Sequence, residues 1–157
     1  PDRSHDRRRY PVSGGPGSPR QLPLTLPITS STDVIRARQL GIDVAQDMGF
    51  GRIDQTRVAT AISEICRNVV QHSGSSGELR LELGTHGTRR GLRMVVTDRG
   101  RGISDVEAAM QDGFSTSVSS LGAGLPGSKR LMDSFEIVTQ VGRGTTVQMV
   151  KWLPRRS

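Results

Sequence analysis

Between Asp54 and Val69 apolar side chains return at helical spacing, at Val58, Ala61, Ile62, Ile65 and Val69. A stripe of that kind needs a core to cover it. Asp54 offers an N-cap oxygen, and the helix is expected to end near His72 to Gly77. A first helix precedes it: Ser30, Ser31, Thr32 and Asp33 offer caps. Val34, Ile35, Ala37, Leu40, Val44, Ala45 and Met48 then recur near the helical period, until Gly49 and Gly51 stop it.

Around these helices the period changes to two. Leu22 to Ile28 reads as an edge strand, with Pro23 and Pro27 limiting its ladder bonds. Leu79 to Leu83 alternates strictly, and Leu92 to Thr97 follows after a glycine-containing loop, so an antiparallel pair is expected. A short helix is predicted at about Ser104 to Gln111. A polar, glycine- and serine-rich loop then runs over 113–124, and a further helix over Leu125 to about Ser134. A loop of that length is expected to be mobile and functional. The chain closes with strands Phe135–Val141 and Thr145–Trp152, joined at Gly142-Arg143-Gly144 as a hairpin. There is no internal repeat.

Composition sets the class. With 157 residues and 33% hydrophobic content, one domain with its own core is expected. The single Cys66 excludes an internal disulfide framework and reads as an inert filler on the second helix, which favours a reducing, cytoplasmic setting. No stretch approaches the roughly 18 apolar residues of a spanning helix, so no membrane partner is expected. The net charge of +7 divides unevenly. Five Arg and two Asp lie in residues 1–22 and two Arg in 155–156, which leaves +2 on the 132 residues between them. A basic face for nucleic acid is therefore not supported. Residues 1–23 read as a disordered basic arm, 24–153 as the folded domain and 154–157 as a tail.

Three elements carry chemistry. Glu64 and Asn68 stand four residues apart on one helix face, a carboxylate able to accept a proton beside a neutral oxygen for a hard cation; the same spacing describes a solvated face. Asp98-Arg99-Gly100-Arg101-Gly102 follows a strand, where a carboxylate can accept from an exocyclic amine and glycines let backbone approach a flat ring; it also describes an ordinary turn. Gly122-Ala123-Gly124-Leu125-Pro126-Gly127-Ser128-Lys129 has dinucleotide-fingerprint spacing but no strand before it, and its Ser-Lys order is the reverse of a P-loop. Its glycines are expected to open a helix N-terminus to phosphate. Lys129 and Arg130 either reach phosphate or flank the helix. His5, His72 and His86 are expected in core or surface roles.

With Gly144-Thr145-Thr146, these elements resemble in order the N, G1 and G2 boxes of the GHKL ATPases. Residues 25–153 are similar to the RsbT-type serine kinases of the bacterial stressosome, through Ala37-Arg38-Gln39-Leu40-Gly41, Gln111 to Ser117, Gly122 to Gly127, Lys129 to Asp133 and Lys151-Trp152-Leu153. The resemblance implies a Bergerat α/β sandwich, a mixed sheet with helices on one face and a mobile ATP lid. It implies ATP and Mg²⁺ as cofactors. Glu64 would be the catalytic base and Asn68 the metal ligand. Asp98 would receive the adenine amine, Gly100 and Gly102 line the adenine pocket, Gly122 and Gly124 meet the phosphates, and Thr146 join the hydrogen bonds around adenine. Family kinases phosphorylate a serine on a STAS-domain antagonist and activate a PP2C-type phosphatase. The lid Ser117-Val118-Ser119-Ser120 has fewer glycines than relatives have, and His72-Ser73 resembles the RsbW and SpoIIAB anti-sigma kinases, for which a sigma factor is the partner. The rivals are such an anti-sigma kinase and a non-enzymatic module gated by nucleotide; an intact Glu64 speaks against the latter.

Overall fold

The computed structural model describes residues 20–106, 110 and 119–155, the side chains of 119–124 excepted. Eight elements follow in order: β1 (Leu24–Ile28), α1 (Ser31–Met48), α2 (Arg52–His72), β2 (Gly77–His86), β3 (Arg89–Asp98), α3 (Ser119–Leu131), β4 (Ser134–Gln140) and β5 (Gly144–Trp152). The strands form one sheet in the order β1-β2-β3-β5-β4. All four neighbouring pairs run antiparallel, so the sheet is not the mixed one that the resemblance implies. The connections explain this. Two helices between β1 and β2 carry the chain out and back, so β2 must run against β1, while β2–β3 and β4–β5 are hairpins.

Register decides which side chains meet the helices. Met94 is paired with Leu81 on one side and Met149 on the other, and Val96 with Leu79 and Val147. These six are buried, as are Leu24, Leu26 and Ile28 of β1. From above, α2 contributes Val58, Ala61, Ile62, Ile65 and Val69, the stripe seen in the sequence, and α1 adds Val34, Ala37, Val44 and Ala45. Gly49 ends α1 in the left-handed conformation, its N–H bonded to the Ala45 and Gln46 carbonyls. α2 begins two residues before the expected cap: Gly51 is the N-cap and Asp54 lies in the first turn.

Asp33 does capping work for α1, where Ser30 makes no side-chain cap bond. Its carboxylate accepts from the Thr29 amide at 2.8 Å and the Thr29 hydroxyl at 2.6 Å. Asp33→Ala orphans both donors at a part-buried site, and unfolding stability is expected to fall by about 1 kcal/mol. Chemical denaturation checks this, and an unchanged midpoint would remove Asp33 from the α1 start.

α3 departs most from the sequence reading. It begins at Ser119 and takes in Gly122, Gly124, Pro126 and Gly127, whereas a loop to residue 124 was expected. Leu125 and Met132 sit in the core and Ser128 is fully buried, so packing overrides the poor helix propensity of the segment. Pro126 cannot donate to the Gly122 carbonyl, and a glycine there is the residue best able to yield to the ring. Of the helix expected at 104–111, residues 107–109 and 111 lie outside the described residues, although the Met110 amide does bond the Val106 carbonyl. The lid residues 113–118 also lie outside them. At the other end, Arg20 belongs with the folded part: its amide and guanidinium both reach Asp47 at 3.1 Å.

Candidate active site

A cavity of about 530 Å³ opens between the C-terminal half of α2, the ends of β3 and β5, the 101–105 segment and Leu125 of α3. Ile65, Val69, Val96, Val147, Leu125 and Ile103 give it apolar walls, and Asn68, His72, Asp98 and Thr145 supply polar groups. Its size and make-up are those of a small-molecule site with a few orienting groups.

Asp98 is the last residue of β3, in register with Thr145 on β5 and Gly77 on β2. Its Oδ1 accepts the Gly100 amide at 2.9 Å. Burial raises its pKa above the ordinary Asp value, and hydrogen bonds from the Gly100 and Thr145 amides pull partly against that rise. A half-desolvated carboxylate of this kind gains by accepting one more hydrogen bond.

Two glycines shape the turn beside it. A Cβ on Gly100 would lie 2.0 Å from the Ser73 carbonyl oxygen, so this residue brings the turn against the end of α2; the Arg101 amide donates to that same carbonyl at 2.9 Å. Gly102 has φ +74°, and a Cβ there would stand 2.5 Å from the Gln140 carbonyl oxygen. Both glycines therefore answer to close backbone packing; Gly102 also lines the cavity and Gly100 does not.

Thr146 is placed on the other side. It pairs with Thr97, with hydroxyls 3.5 Å apart on the sheet face away from the helices. Its neighbour Thr145 is buried, lines the cavity, and has its hydroxyl 2.8 Å from that of Thr139. Thr139 Oγ1 also accepts the Ile103 amide at 2.9 Å, which ties the 101–105 wall to the sheet. Period-two alternation with inward Val147 and Met149 was the signal in the sequence for Thr145 rather than Thr146.

Asn68 is buried, and its Nδ2 has no hydrogen-bond partner among the described residues. A carboxamide facing a cavity with an unused polar atom fits a site whose remaining partners arrive with a ligand. No group of three or more His, Cys, Asp and Glu able to hold a metal occurs among the described residues. A divalent cation here would be held through the Asn68 Oδ1, with phosphates and water as further ligands, which is how Mg²⁺ is usually bound beside nucleotide. Glu64 stands one turn earlier on α2, does not line the cavity, and holds the Arg67 guanidinium at 2.7 Å. Gly122 and Gly124 lie within the first two turns of α3, not ahead of its N-terminus. His72, expected in a core or surface role, lines the cavity with an Nε2 that has no partner among the described residues, and burial together with Arg101 lowers its pKa.

Residues 29–151 match the histidine kinase-like ATPase domain. The chain belongs to that family. It is 47% identical over 126 residues to the serine/threonine-protein kinase RsbT of Bacillus subtilis (strain 168), covering 80% of this chain and 93% of that protein. It is 33% identical over 132 residues to the serine-protein kinase RsbW of Bacillus licheniformis (strain ATCC 14580), covering 78% of each. The anti-sigma F factor of Thermoanaerobacter sp. (strain X514) is 31% identical over 100 residues, covering 61% of this chain and 68% of its own. The family supports the use of ATP. No helix among the described residues is long and apolar enough to cross a membrane.

Proposed function

We propose that this protein, a serine/threonine kinase of the histidine kinase-like ATPase family with a partner-switching role, is cytoplasmic, uses ATP with Mg²⁺, and phosphorylates a serine on a STAS-domain antagonist. In the same scheme it also binds and activates a PP2C-type phosphatase. The observation that carries the ATP reading is one cavity walled by the half-buried Asp98 carboxylate and, from α2, the buried, unsatisfied Asn68 carboxamide. Similarity to RsbT over most of both chains favours the STAS substrate over a sigma factor as principal partner; the anti-sigma F factors and RsbW support sigma-factor binding as the second reading.

Each residue then has a task. Asp98 accepts the adenine amine, Thr145 supplies a hydroxyl next to it in the place first given to Thr146, and the apolar walls take the ring faces. Asn68 would hold Mg²⁺ through its Oδ1, and the ion would supply charge neutralisation at the phosphates. Gly122 and Gly124 let the α3 segment approach the phosphates, and Glu64 accepts the proton of the attacking serine. Phosphoryl transfer needs positioning and charge neutralisation more than covalent help, and this arrangement supplies both.

Incubation of the protein with labelled ATP, Mg²⁺ and a panel of STAS-domain proteins tests the reading. Label on serine supports it; nucleotide binding without transfer to any of them would leave the nucleotide-gated module as the better account. Asn68→Ala is expected to bind ATP equally with and without Mg²⁺, while the wild type binds more tightly with the metal. Calorimetry in both conditions checks this, and equal metal sensitivity in the two proteins would remove Asn68 as the ligand.

A further inference from the structure

The sheet face turned away from the helices carries a second constellation, at the end of β3 opposite to Asp98. Alternation puts Arg89, Gly91, Arg93 and Val95 of β3 on this face, and register sets Trp152 beside Gly91 and Val150 beside Arg93 on β5. A Cβ on Gly91 would lie 2.8 Å from the Trp152 ring, so the glycine makes the room in which the indole lies. The Arg89 guanidinium stands 5.5 Å from the indole centroid, and the His86 ring 6.4 Å. Arg93 is the next arginine along the same row. About 23 Å of strand separates this cluster from Asp98.

Neither arginine makes an ion pair among the described residues, and the Nε atoms of both are covered without an acceptor. Glu82, the cross-strand neighbour of Arg93, is turned to Arg80 at 3.2 Å. Two guanidinium groups partly removed from water, with no carboxylate paired to them among the described residues, leave charge for a partner to meet. The half-buried indole supplies an apolar floor beside them, with the buried Val150 beneath. No described helix packs on this face: α1 and α2 lie on the face of Leu26, Leu81 and Met94.

We propose that this outer face is a docking surface for a partner protein that presents one or two carboxylates beside an apolar side chain, with Trp152 as the apolar anchor and Arg89 and Arg93 as the acid-binding groups. Charge complementarity selects that occupant. The basic pair is local: on the same face Arg80 and Glu82 offset each other as an ion pair, and Glu78 and Glu136 would repel a long polyanion such as nucleic acid. Trp and Arg are also the residues most often found to anchor protein interfaces.

Trp152 is the sole tryptophan of the chain, so its emission reports on this surface alone. The probe is a short peptide of alternating Glu and Leu; the controls are its Gln/Leu counterpart and an oligo(dT) strand. Titration of the acidic peptide is expected to shift indole emission saturably, and Arg89→Gln and Arg93→Gln are each expected to weaken binding about tenfold or more. Both variants should keep wild-type ATP affinity, which shows that the fold is intact. Equal binding of the Gln/Leu peptide, unchanged affinity in both variants, or tighter binding of oligo(dT) would overturn the proposal. So would sedimentation showing that a second copy of the chain covers Trp152.

Discussion

Glu64→Ala is expected to cut phosphorylation of a STAS partner by at least about two orders of magnitude while ATP binds as tightly as before or slightly better. A general base within reach of the attacking hydroxyl typically supplies about 10²- to 10⁴-fold in rate, whereas its negative charge does nothing to attract a triphosphate. The structure adds a control. Glu64 is paired with Arg67 at 2.7 Å, both side chains partly exposed, and such pairs contribute little to stability, so the substitution should leave the fold untouched. If Glu64 served only to hold Arg67, then Arg67→Ala would reproduce the loss of transfer; if it is the base, Arg67→Ala should retain most of the activity. Nucleotide titration, phosphotransfer and partner pull-down on both variants decide the question, and unaltered transfer in Glu64→Ala removes the residue from the mechanism.

How much of this was legible in the sequence depended on whether local pattern or tertiary packing decided the outcome. The α2 stripe from Val58 to Val69 is buried as the helical period required, and β2 and β3 pair antiparallel as their alternation required. Both patterns act within one element or one hairpin. The α3 start was misjudged because Gly122, Gly124 and Pro126 are poor helix formers; the compensating burial of Leu125, Ser128 and Met132 against the core is visible only in three dimensions. Sheet direction was misjudged for a related reason, since it depends on how many helices carry the chain across. At the site, Asn68 and Asp98 both line the cavity, while strand alternation with Val147 and Met149 puts Thr145 on the cavity side and Thr146 on the other face, where motif position alone does not distinguish the two. Gly100 and Gly102 make room for the Ser73 and Gln140 carbonyls, a demand visible only in three dimensions, and so set where the wall of the cavity stands; Gly102 lines that cavity as well.

Asp98→Asn tests that wall from the ligand side, and it should weaken ATP binding by about 1.5 to 3 kcal/mol, the scale of a hydrogen bond to a charged group. The substitution is nearly isosteric, so the loss comes from hydrogen-bond polarity. In the wild type Oδ1 accepts the Gly100 amide, and the carboxylate also accepts from the Thr145 amide. A carboxamide must turn its NH₂ either toward those amides or toward the adenine amine, and in each case a donor meets a donor. The pH dependence follows from the same group. Burial raises the Asp98 pKa, so on acidification the carboxylate protonates at a higher pH than an ordinary Asp, and the acceptor proposed for the adenine amine would be lost there. For folding the sign is opposite: a raised pKa in the folded state means that the protonated form stabilises at low pH, a contribution lost as pH rises through the folded-state pKa. Nucleotide affinity measured by calorimetry from neutral pH downward should therefore fall earlier in the wild type than phosphate titration alone explains, and Asp98→Asn should lack that component. Equal ATP affinity in the two proteins at neutral pH would place the adenine site elsewhere in the molecule.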